Sequence, residues 1–441
     1  MASYVPSTLE ERREMLETLG VKSVAELYDA VPAEVFIDHE LDLPHGCSEL
    51  EVRRQMEKIA AKNKVFGTIF RGAGAYRHYI PSIARYIPTK EEFLTSYTPY
   101  QPEISQGVLQ SIFEFQTNVC QLTEMEVANA SVYDGATAAA EAAIMCRERK
   151  RTKTYVSASA QPDIIQVMET YCMSANAELV IVPVKDGKTD MEALDNMLDE
   201  TAASFFVQQP NYYGLFEDCE ALGEIAHKHG AKFIMGCNPT ALAIMKTPGE
   251  CGADIATAEG QPFGLNLAFG GPYLGIMACT TKMMRKMPGR IVGETVDADG
   301  NRSFVLTLQA REQHIRREKA SSNICSNQAL CALTASVYLA AMGPEGLKDV
   351  AEQCYAKAHY AAEELAKAGF ALKYQGEFFH EFVTTCPTCP EKLMAELEAN
   401  DILGGLPIKV DGEDAILWCV TEMNTKEEID LLVKIAKEVV A

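Results

Sequence analysis

The chain has 441 residues, 47% of them hydrophobic and 23% charged, which is typical of a globular protein long enough for two or three packed units. Its 62 acidic and 40 basic residues give a net charge of −22, which argues against nucleic acid and anionic membranes as partners. The 14 cysteines are scattered without a disulfide framework, so a reducing cytoplasm is expected. We expect neither a signal peptide nor a membrane-spanning segment.

Residues 1–90 are predicted to form a helical N-terminal extension. Ser7 is expected to cap a first helix, with Glu10 completing a capping box and Gly20 ending the helix. A second helix is expected from about Ser48 to Lys62, because apolar residues recur along one side. The glycine-rich loop at 70–76 gives little support for nucleotide binding, since no third glycine opens a helix behind it.

Residues 91–325 are predicted to form a large α/β domain, because short apolar strands alternate with helices. Strands are expected at Lys153–Ser157, Glu178–Pro183, Ser204–Val207, Lys232–Met235, Ile255–Ala258 and Leu274–Cys279. The intervening helices are expected at Pro162–Cys172, Asp190–Leu198 and Cys219–His229. Apolar strands separated by helices are typical of a mostly parallel, buried sheet.

Residues 326–441 are predicted to form a smaller C-terminal α+β domain. A long helical stretch begins near Asn327, continues to about Ala368 and is broken at Gly343-Pro344. Strands are expected at Phe382–Thr384 and Ala415–Val420, and helices at Glu391–Ala399 and Lys426–Val439.

The segment Tyr97-Thr-Pro-Tyr-Gln-Pro-Glu-Ile-Ser-Gln-Gly107 combines two prolines with polar and aromatic side chains. Proline restricts the backbone, so such a loop holds its side chains in place at little entropic cost. The sequence favours a binding loop, and the alternative is a rigid surface loop. The candidate contacting residues are Tyr97, Thr98, Tyr100, Gln101, Glu103, Ser105 and Gln106.

A second segment, Tyr133-Asp-Gly-Ala-Thr-Ala-Ala-Ala-Glu141, opens a helix with a glycine and small residues. Exposed N–H groups and the helix dipole favour an anion there, so Gly135 and Thr137 are candidates for an anion pocket. Many helices begin in this way, so the signal is weak by itself. The eight histidines show no metal-ligand pattern, and no metal site is predicted.

Several long motifs resemble the N-terminal half of the glycine cleavage system P-proteins. They include Tyr97–Gly107, Ile112-Phe-Glu-Phe-Gln116, Ala128-Asn-Ala-Ser131, Tyr133-Asp-Gly-Ala-Thr137, Pro248-Gly-Glu250, Gly252-Ala-Asp254, Glu259-Gly-Gln261 and Phe269-Gly-Gly-Pro272. They follow one another in order along nearly the whole chain. The resemblance implies the fold of type I pyridoxal-phosphate-dependent transferases, with a mostly parallel sheet in the large domain and active sites between two subunits.

Two groups that anchor the cofactor in that fold are missing at the matching positions. Pyridoxal phosphate is normally held as a Schiff base by a lysine, and an acidic residue pairs with its ring nitrogen. Counting back from Gly270-Gly-Pro272 places Gln261 at the lysine position, and glutamine forms no imine. After the strand at 232–235 the chain reads Gly236-Cys-Asn-Pro239, without a carboxylate.

The resemblance therefore implies an alpha subunit that works with a beta subunit carrying pyridoxal phosphate. Together they would decarboxylate glycine and pass the aminomethyl group to the lipoyl arm of H-protein. Gly270 and Gly271 are candidates for backbone approach to the partner's phosphate. Two alternatives stay open: a stand-alone pyridoxal-phosphate enzyme that uses another lysine, and a structural or regulatory paralogue without a part in the chemistry.

Overall fold

The computed structural model describes residues 7–32, 34–37, 39–268 and 270–440. The α-helices are α1 (Leu9–Leu19), α2 (Glu49–Ala60), α3 (Ser82–Tyr86), α4 (Glu91–Leu94), α5 (Gln106–Thr123), α6 (Gly135–Cys146), α7 (Pro162–Ser174), α8 (Met191–Met197), α9 (Cys219–Lys228), α10 (Gln313–Arg316), α11 (Ala329–Lys367), α12 (Pro390–Ala399) and α13 (Lys426–Val440). The β-strands are β1 (Thr68–Ile69), β2 (Val127–Ala128), β3 (Lys153–Ser157), β4 (Leu179–Val182), β5 (Val184–Lys185), β6 (Lys188–Thr189), β7 (Ala202–Gln209), β8 (Lys232–Cys237), β9 (Ile255–Glu259), β10 (Gly275–Cys279), β11 (Ile291–Val296), β12 (Arg302–Thr307), β13 (Glu381–Thr385), β14 (Ile402–Leu403), β15 (Leu406–Val410) and β16 (Glu413–Cys419).

The chain divides into two compact units, with the division between Val65 and Phe66. In the first unit, α1 begins after Thr8, whose hydroxyl accepts from the backbone N–H of Glu11, and ends at Gly20 with a φ of 72°. Thr8 and not Ser7 is therefore the cap, because only the Thr8 side chain reaches the third helical residue. Helix α2 begins after Ser48 with the same kind of capping box, formed with Glu51.

The second unit is built on a seven-stranded sheet in the order β2-β10-β9-β8-β7-β3-β4. Strands β4, β3, β7, β8 and β9 run parallel, and β10 is antiparallel to both β9 and β2. Parallel neighbours require crossover connections, and α7, α8 and α9 lie in the segments between the parallel strands. The sheet is therefore mostly parallel, as the sequence predicted.

Alternate residues of the central strands enter two different cores. Phe206 and Ile234 are buried in one core together with the alanine side chains of α6. Phe205 and Phe233 are buried in the other, with their ring centroids 6.3 Å apart, beside side chains of α8 and α9. This alternation follows from the two-residue period of a strand and requires helices on both faces of the sheet.

The C-terminal part contains an antiparallel sheet in the order β13-β16-β15. Trp418 of β16 is fully buried and packs in one core with Leu393 of α12 and Ile429 of α13. Strand β1 pairs in parallel with β14, so residues 68 and 69 join this part of the chain and not an N-terminal extension. The predicted boundaries at 90/91 and 325/326 stay predictions.

Helix α11 is long and apolar enough to cross a membrane by length and composition. However, Gly343 interrupts its helical backbone with a φ of 62° and a ψ of 179°, immediately before Pro344. Cys331 before the kink and Ala358 after it are buried in two different cores of the second unit. The two parts of α11 therefore serve as core helices, and the break lies where the sequence predicted it.

Candidate functional site

A cavity of about 380 Å³ lies at the carboxyl ends of the parallel strands. Gln208 of β7, Cys237 of β8 and Glu259 of β9 contribute to its wall, and Gly135 at the beginning of α6 closes one side. In open α/β sheets, the crevice outside the carboxyl ends of the strands is where ligands bind. The glycine-rich loop at 70–76 also lines the cavity. The sequence had not predicted a role for this loop in a binding site.

The carboxylate of Glu259 occupies the part of the cavity nearest α6. Its Oε2 accepts a hydrogen bond from the N–H of Gly135 at 2.9 Å. Its Oε1 accepts from the N–H of Gln261 at 2.9 Å and from the N–H of Leu274 at 3.0 Å. Burial raises the pKa of Glu259 to about 7, although the three N–H groups oppose the rise.

Gln261, at the position of the expected lysine, is 1% exposed and has both ends of its side chain engaged. Its Oε1 accepts from the N–H of Tyr76 at 2.8 Å, and its Nε2 donates to the carbonyls of Tyr76 and Leu265, each at 2.9 Å. The glutamine therefore joins the 70–76 loop to the segment after β9. It has a structural role that the sequence did not predict.

Asn238 lies just beyond β8, where the family resemblance predicts the acidic residue that pairs with the ring nitrogen of pyridoxal phosphate. Its Oδ1 accepts from the N–H of Thr240 at 3.0 Å, and its Nδ2 lies 2.9 Å from Nε2 of His380. Burial, together with the nearby His78, holds the pKa of His380 well below its usual range, so its ring is neutral and accepts from the amide. These contacts make a closed network of neutral groups at this end of the cavity.

Behind His380, a buried carboxyl group supports the 70–76 loop. Glu381 accepts from the N–H of Ala73 at 2.6 Å and from the hydroxyl of Tyr76 at 2.8 Å. The rings of Tyr76 and His380 lie 4.5 Å apart. Burial raises the pKa of Glu381 to about 7, partly offset by its two donors.

Gly135 and Thr137 do lie at the first turn of a helix, as predicted. However, Gly135 donates to Glu259, and the N–H of Thr137 donates to Oδ1 of Asp134 at 2.7 Å. Both candidate anion-binding N–H groups are therefore used by carboxylates of the chain itself.

Gly270 lines the same cavity, and Gly270 and Gly271 have φ values of 99° and 136°. These φ values favour glycine over residues with a side chain. Phe269, part of the same motif, lies outside the described residues. No partner phosphate is placed by these observations, so the expected contact of Gly270 and Gly271 with it stays a prediction.

The residues present do not fit pyridoxal phosphate. Among the described residues, no lysine or arginine lines the cavity, whereas Asp134, Asp163 and Glu259 do. A phosphate dianion in this place would meet three acidic side chains and an N–H cluster that already binds a carboxylate. In the described part of the chain, the wall of this cavity provides neither the amine nor the positive charge that the cofactor needs.

The loop at 97–107 lies elsewhere, since none of its residues contributes to the cavity wall. Tyr97 is 84% exposed, and Tyr100, Gln101 and Glu103 are also exposed. Thr98 and Ser105 are partly buried, and their carbonyls accept backbone hydrogen bonds from Tyr100 and Leu109.

Gln106 fixes this loop to the β11–β12 hairpin. Its side chain makes two hydrogen bonds to the backbone of Phe304, at 2.8 and 2.9 Å. Gln106 and Ser105 thus support the loop, whereas Tyr97, Tyr100, Gln101 and Glu103 present their side chains to solvent. The structure therefore separates the predicted residues into two groups that the sequence alone did not distinguish.

Arg290, which sequence reasoning missed, lies beneath Tyr100. The side chain is 5% exposed, its Nη2 donates to the Tyr100 hydroxyl oxygen at 3.1 Å, and its guanidinium lies 5.3 Å from the ring centroid. An arginine below an aromatic ring restrains the ring by cation–π attraction. Because Tyr100 accepts this hydrogen bond, its own O–H is left to donate outward.

The chain also brings His78, Cys354 and Glu422 together, with their possible ligand atoms within 4.8 Å of one another. Oε2 of Glu422 lies 2.7 Å from Nδ1 of His78 and 3.4 Å from Sγ of Cys354, and its Oε1 accepts from the N–H of Tyr79. Both oxygens of the Glu422 carboxylate thus have partners, whereas Nε2 of His78 is buried and has no hydrogen-bond partner among the described residues.

The fold is that of the type I pyridoxal-phosphate-dependent proteins. Alanine–glyoxylate aminotransferase from Nostoc sp. superposes with a TM-score of 0.60 at 16% identity, over 86% of this chain and 96% of that chain. A crystal structure of glycine decarboxylase, the P-protein of the glycine cleavage system, superposes with a TM-score of 0.92 at 39% identity, over 99% and 100% of the two chains.

The sequence model of the glycine cleavage system P-protein matches residues 2–436. The chain is 48% identical over 438 residues to the probable glycine dehydrogenase (decarboxylating) subunit 1 of Desulfitobacterium hafniense, covering 98% of each. This chain belongs to the glycine cleavage system P-protein family. The predicted fold class and the family resemblance are both confirmed.

Proposed function

We propose that this chain is the subunit of a two-chain glycine dehydrogenase that does not carry the cofactor. In such a complex the beta subunit carries pyridoxal phosphate, glycine loses carbon dioxide, and the aminomethyl group passes to the lipoyl arm of H-protein. The relative in D. hafniense is named as subunit 1 of such an enzyme, which supports the assignment. The free state of the cysteines is compatible with a cytoplasmic location.

One observation supports this proposal more than any other. Among the described residues no lysine lines the chain's own cavity, and its anion-binding N–H groups are bonded to carboxylates, while a separate loop presents polar and aromatic side chains to solvent. A chain of this family with such a cavity needs a partner for its chemistry, and the loop at 97–107 is suited to complete that partner's site.

The chain's own residues would act on substrate through this loop. Gln106 and Arg290 hold the loop in place, so Tyr100 offers its O–H in a restrained position and Glu103 extends its carboxylate from a restrained backbone. Preorganised donors and acceptors bind a substrate without a reorganisation cost. We assign Tyr97, Tyr100, Gln101 and Glu103 to contacts in the partner's site, with Arg290 as a positioning residue for Tyr100.

The first test is exchange of labelled bicarbonate with glycine by the purified chain, alone and mixed with the beta subunit and lipoylated H-protein. We expect no exchange and no absorption from a bound pyridoxal cofactor in the chain alone, and exchange only in the mixture. A coloured chain that exchanges bicarbonate unaided would identify a stand-alone enzyme and overturn the proposal.

The second test changes the loop. Glu103→Gln should lower glycine-dependent exchange in the reconstituted complex by at least about tenfold, because it removes a charge aimed at the site. Glu92→Gln, a matched change of an exposed acid on α4, should leave exchange unchanged. If activity survives substitution of Tyr97, Tyr100, Gln101 and Glu103, the chain is a structural paralogue.

A further inference from the structure

Three N–H groups from separate parts of the chain converge on the carboxylate of Glu259. One belongs to Gly135 at the beginning of α6, one to Gln261 after β9, and one to Leu274 just before β10. We define the phosphate cradle as these three N–H groups. Such a cluster at a helix N-terminus is a favourable place for an oxyanion, because each donor points at the same spot.

Within the described residues, all three partners of the Glu259 carboxyl group are N–H donors and none is an acceptor, so this place suits an oxyanion. We propose that Glu259 is an internal anion that replaces a ligand's phosphate in this cradle and closes the cavity to phosphorylated ligands. The lost lysine at position 261 removes covalent attachment, and Glu259 independently removes the place where a phosphate would bind.

The close approach of α6 to the end of β9 supports this inference. A Cβ on Gly135 would lie 2.8 Å from Cβ of Glu259 and 3.0 Å from its backbone nitrogen. Position 135 therefore has to be glycine for the helix to reach the Glu259 carboxylate. Because the backbone of Glu259 lies against the beginning of α6, its side chain is held at that helix end. A phosphate dianion would have to displace this side chain to reach the three N–H groups.

The acidic residues around the cradle also disfavour the binding of a phosphate. Asp134 caps α6 and Asp163 lines the cavity, and no described lysine or arginine lines it to compensate. The repulsion between Asp134 and Glu259 adds to the effect of burial on the pKa of Glu259. Because the pKa of Glu259 is raised to about 7, its carboxylate is fully charged only above that pH, where it competes with a phosphate for the same three N–H groups.

The experiment compares three full-length chains without any partner: the parent, Glu259→Ala and Asp163→Ala. The last is the matched control, because it removes one negative charge from the cavity wall while leaving the three N–H groups bonded to Glu259. Thermal unfolding is recorded at about pH 8.5, where Glu259 is ionised, with inorganic phosphate and with sodium chloride at equal ionic strength.

We expect phosphate to raise the Tm of Glu259→Ala by about 3–6 °C at saturation. The parent and Asp163→Ala should shift by less than about 1 °C. If Glu259→Ala fails to fold in chloride, phosphate in the refolding buffer should restore the folded chain, because the anion would satisfy the cradle. Protection of all three chains, or no protection of Glu259→Ala in either form of the experiment, would overturn the inference.

The role assigned to Glu259 rests on the proposed function in one respect, namely that the partner subunit carries the phosphorylated cofactor. Its test uses the isolated chain and no enzyme activity. Failure of the reconstituted complex to exchange bicarbonate would therefore leave the phosphate result unaffected, and a negative phosphate result would leave the reconstitution experiment standing.

Discussion

Gln261 connects two backbone segments from the position at which the family resemblance places a lysine. Its three hydrogen bonds to Tyr76 and Leu265 are buried, so removing the side chain leaves two carbonyls and one N–H without partners. An unsatisfied buried polar group costs about 1–3 kcal/mol. The side chain at position 261 is therefore expected to matter for stability.

We expect Gln261→Ala to lower the free energy of unfolding by about 2–4 kcal/mol, measured by urea denaturation. Gln261→Glu should be at least as damaging, because a carboxylate cannot donate to the carbonyls of Tyr76 and Leu265. Gln121→Ala, at an exposed position of α5, should change stability by less than about 0.5 kcal/mol. Equal effects at positions 121 and 261 would contradict the bridging role.

Glu381 predicts a dependence of stability on pH. Its folded-state pKa is raised to about 7 from an ordinary value of 4.5, so between pH 4.5 and 7 the folded chain binds more protons than the unfolded chain. Its contribution to stability is therefore present below pH 4.5 and is lost as pH rises through about 7. Glu381→Gln keeps an acceptor for Ala73 and removes the titration.

The Glu381→Gln variant should consequently gain stability relative to the parent when pH rises from 5 to 8. We expect a relative gain of about 1–3 kcal/mol, from urea denaturation at both pH values. Exposed Glu92→Gln serves as the control and should show no such difference. A parallel pH response of the parent and Glu381→Gln would show that the carboxyl group does not titrate in this window.

The sequence offered Gln261 as a candidate position but not the groups around it. Counting along one continuous motif predicts Gln261 at the lysine position, whereas its partner Tyr76 lies 185 positions away in the chain. Glu259 stood inside a recognised motif and still gave no signal, because its function depends on N–H groups contributed by α6 and by the segment before β10. Contacts between distant segments are set by packing and leave no local pattern.

At the scale of elements, α11 shows a local feature that its sequence does specify. Gly343 has a φ of 62°, which an L-residue with a side chain adopts only with strain, and Pro344 follows it. A Cβ on Gly343 would meet nothing within 4 Å, so the cost of a side chain there is backbone strain alone. The dipeptide itself therefore determines the kink.

We expect Gly343→Ala to lower the free energy of unfolding by about 1–2 kcal/mol, measured by chemical denaturation. Gly346 provides the matched control within the same helix, because a Cβ there would meet only the flexible side chain of Met342, at 3.4 Å. Gly346→Ala should be neutral or stabilising by up to about 1 kcal/mol. Similar losses of unfolding free energy in both variants would mean that the cost of a side chain in this helix comes from steric crowding and not from the positive φ of Gly343.

The predicted elements were accurate where apolar periodicity was strong. The strand at Lys153–Ser157 was predicted to the residue, and the helices at 162–172, 190–198 and 219–229 were placed within two residues of α7, α8 and α9. The β11–β12 hairpin and β15 were not predicted from the sequence. Their faces are partly exposed, with burial that changes along the strand, so they lack the continuous apolar run of a central strand.

At the scale of the whole molecule, the chain brings His78, Cys354 and Glu422 together from distant positions and fills the N–H cluster at the edge of its cavity with Glu259. In contrast, the loop at 97–107 exposes Tyr97 and Ile104, which are 84% and 80% accessible. Two large apolar side chains on one short, rigid loop are typical of an interface.

We therefore expect Ile104→Asp to weaken assembly with the beta subunit and to leave the chain's own stability unchanged. Loss of a buried apolar interface contact costs more than about 1.4 kcal/mol when it lies near the centre, so Kd should rise at least about tenfold, measured by sedimentation or calorimetry. Met173→Asp, at a position that is 74% exposed on α7, is the control and should leave Kd unchanged. If Ile104→Asp assembles like the parent, the loop does not face the beta subunit, and its exposed tyrosines and Glu103 lose their proposed place in the partner's site.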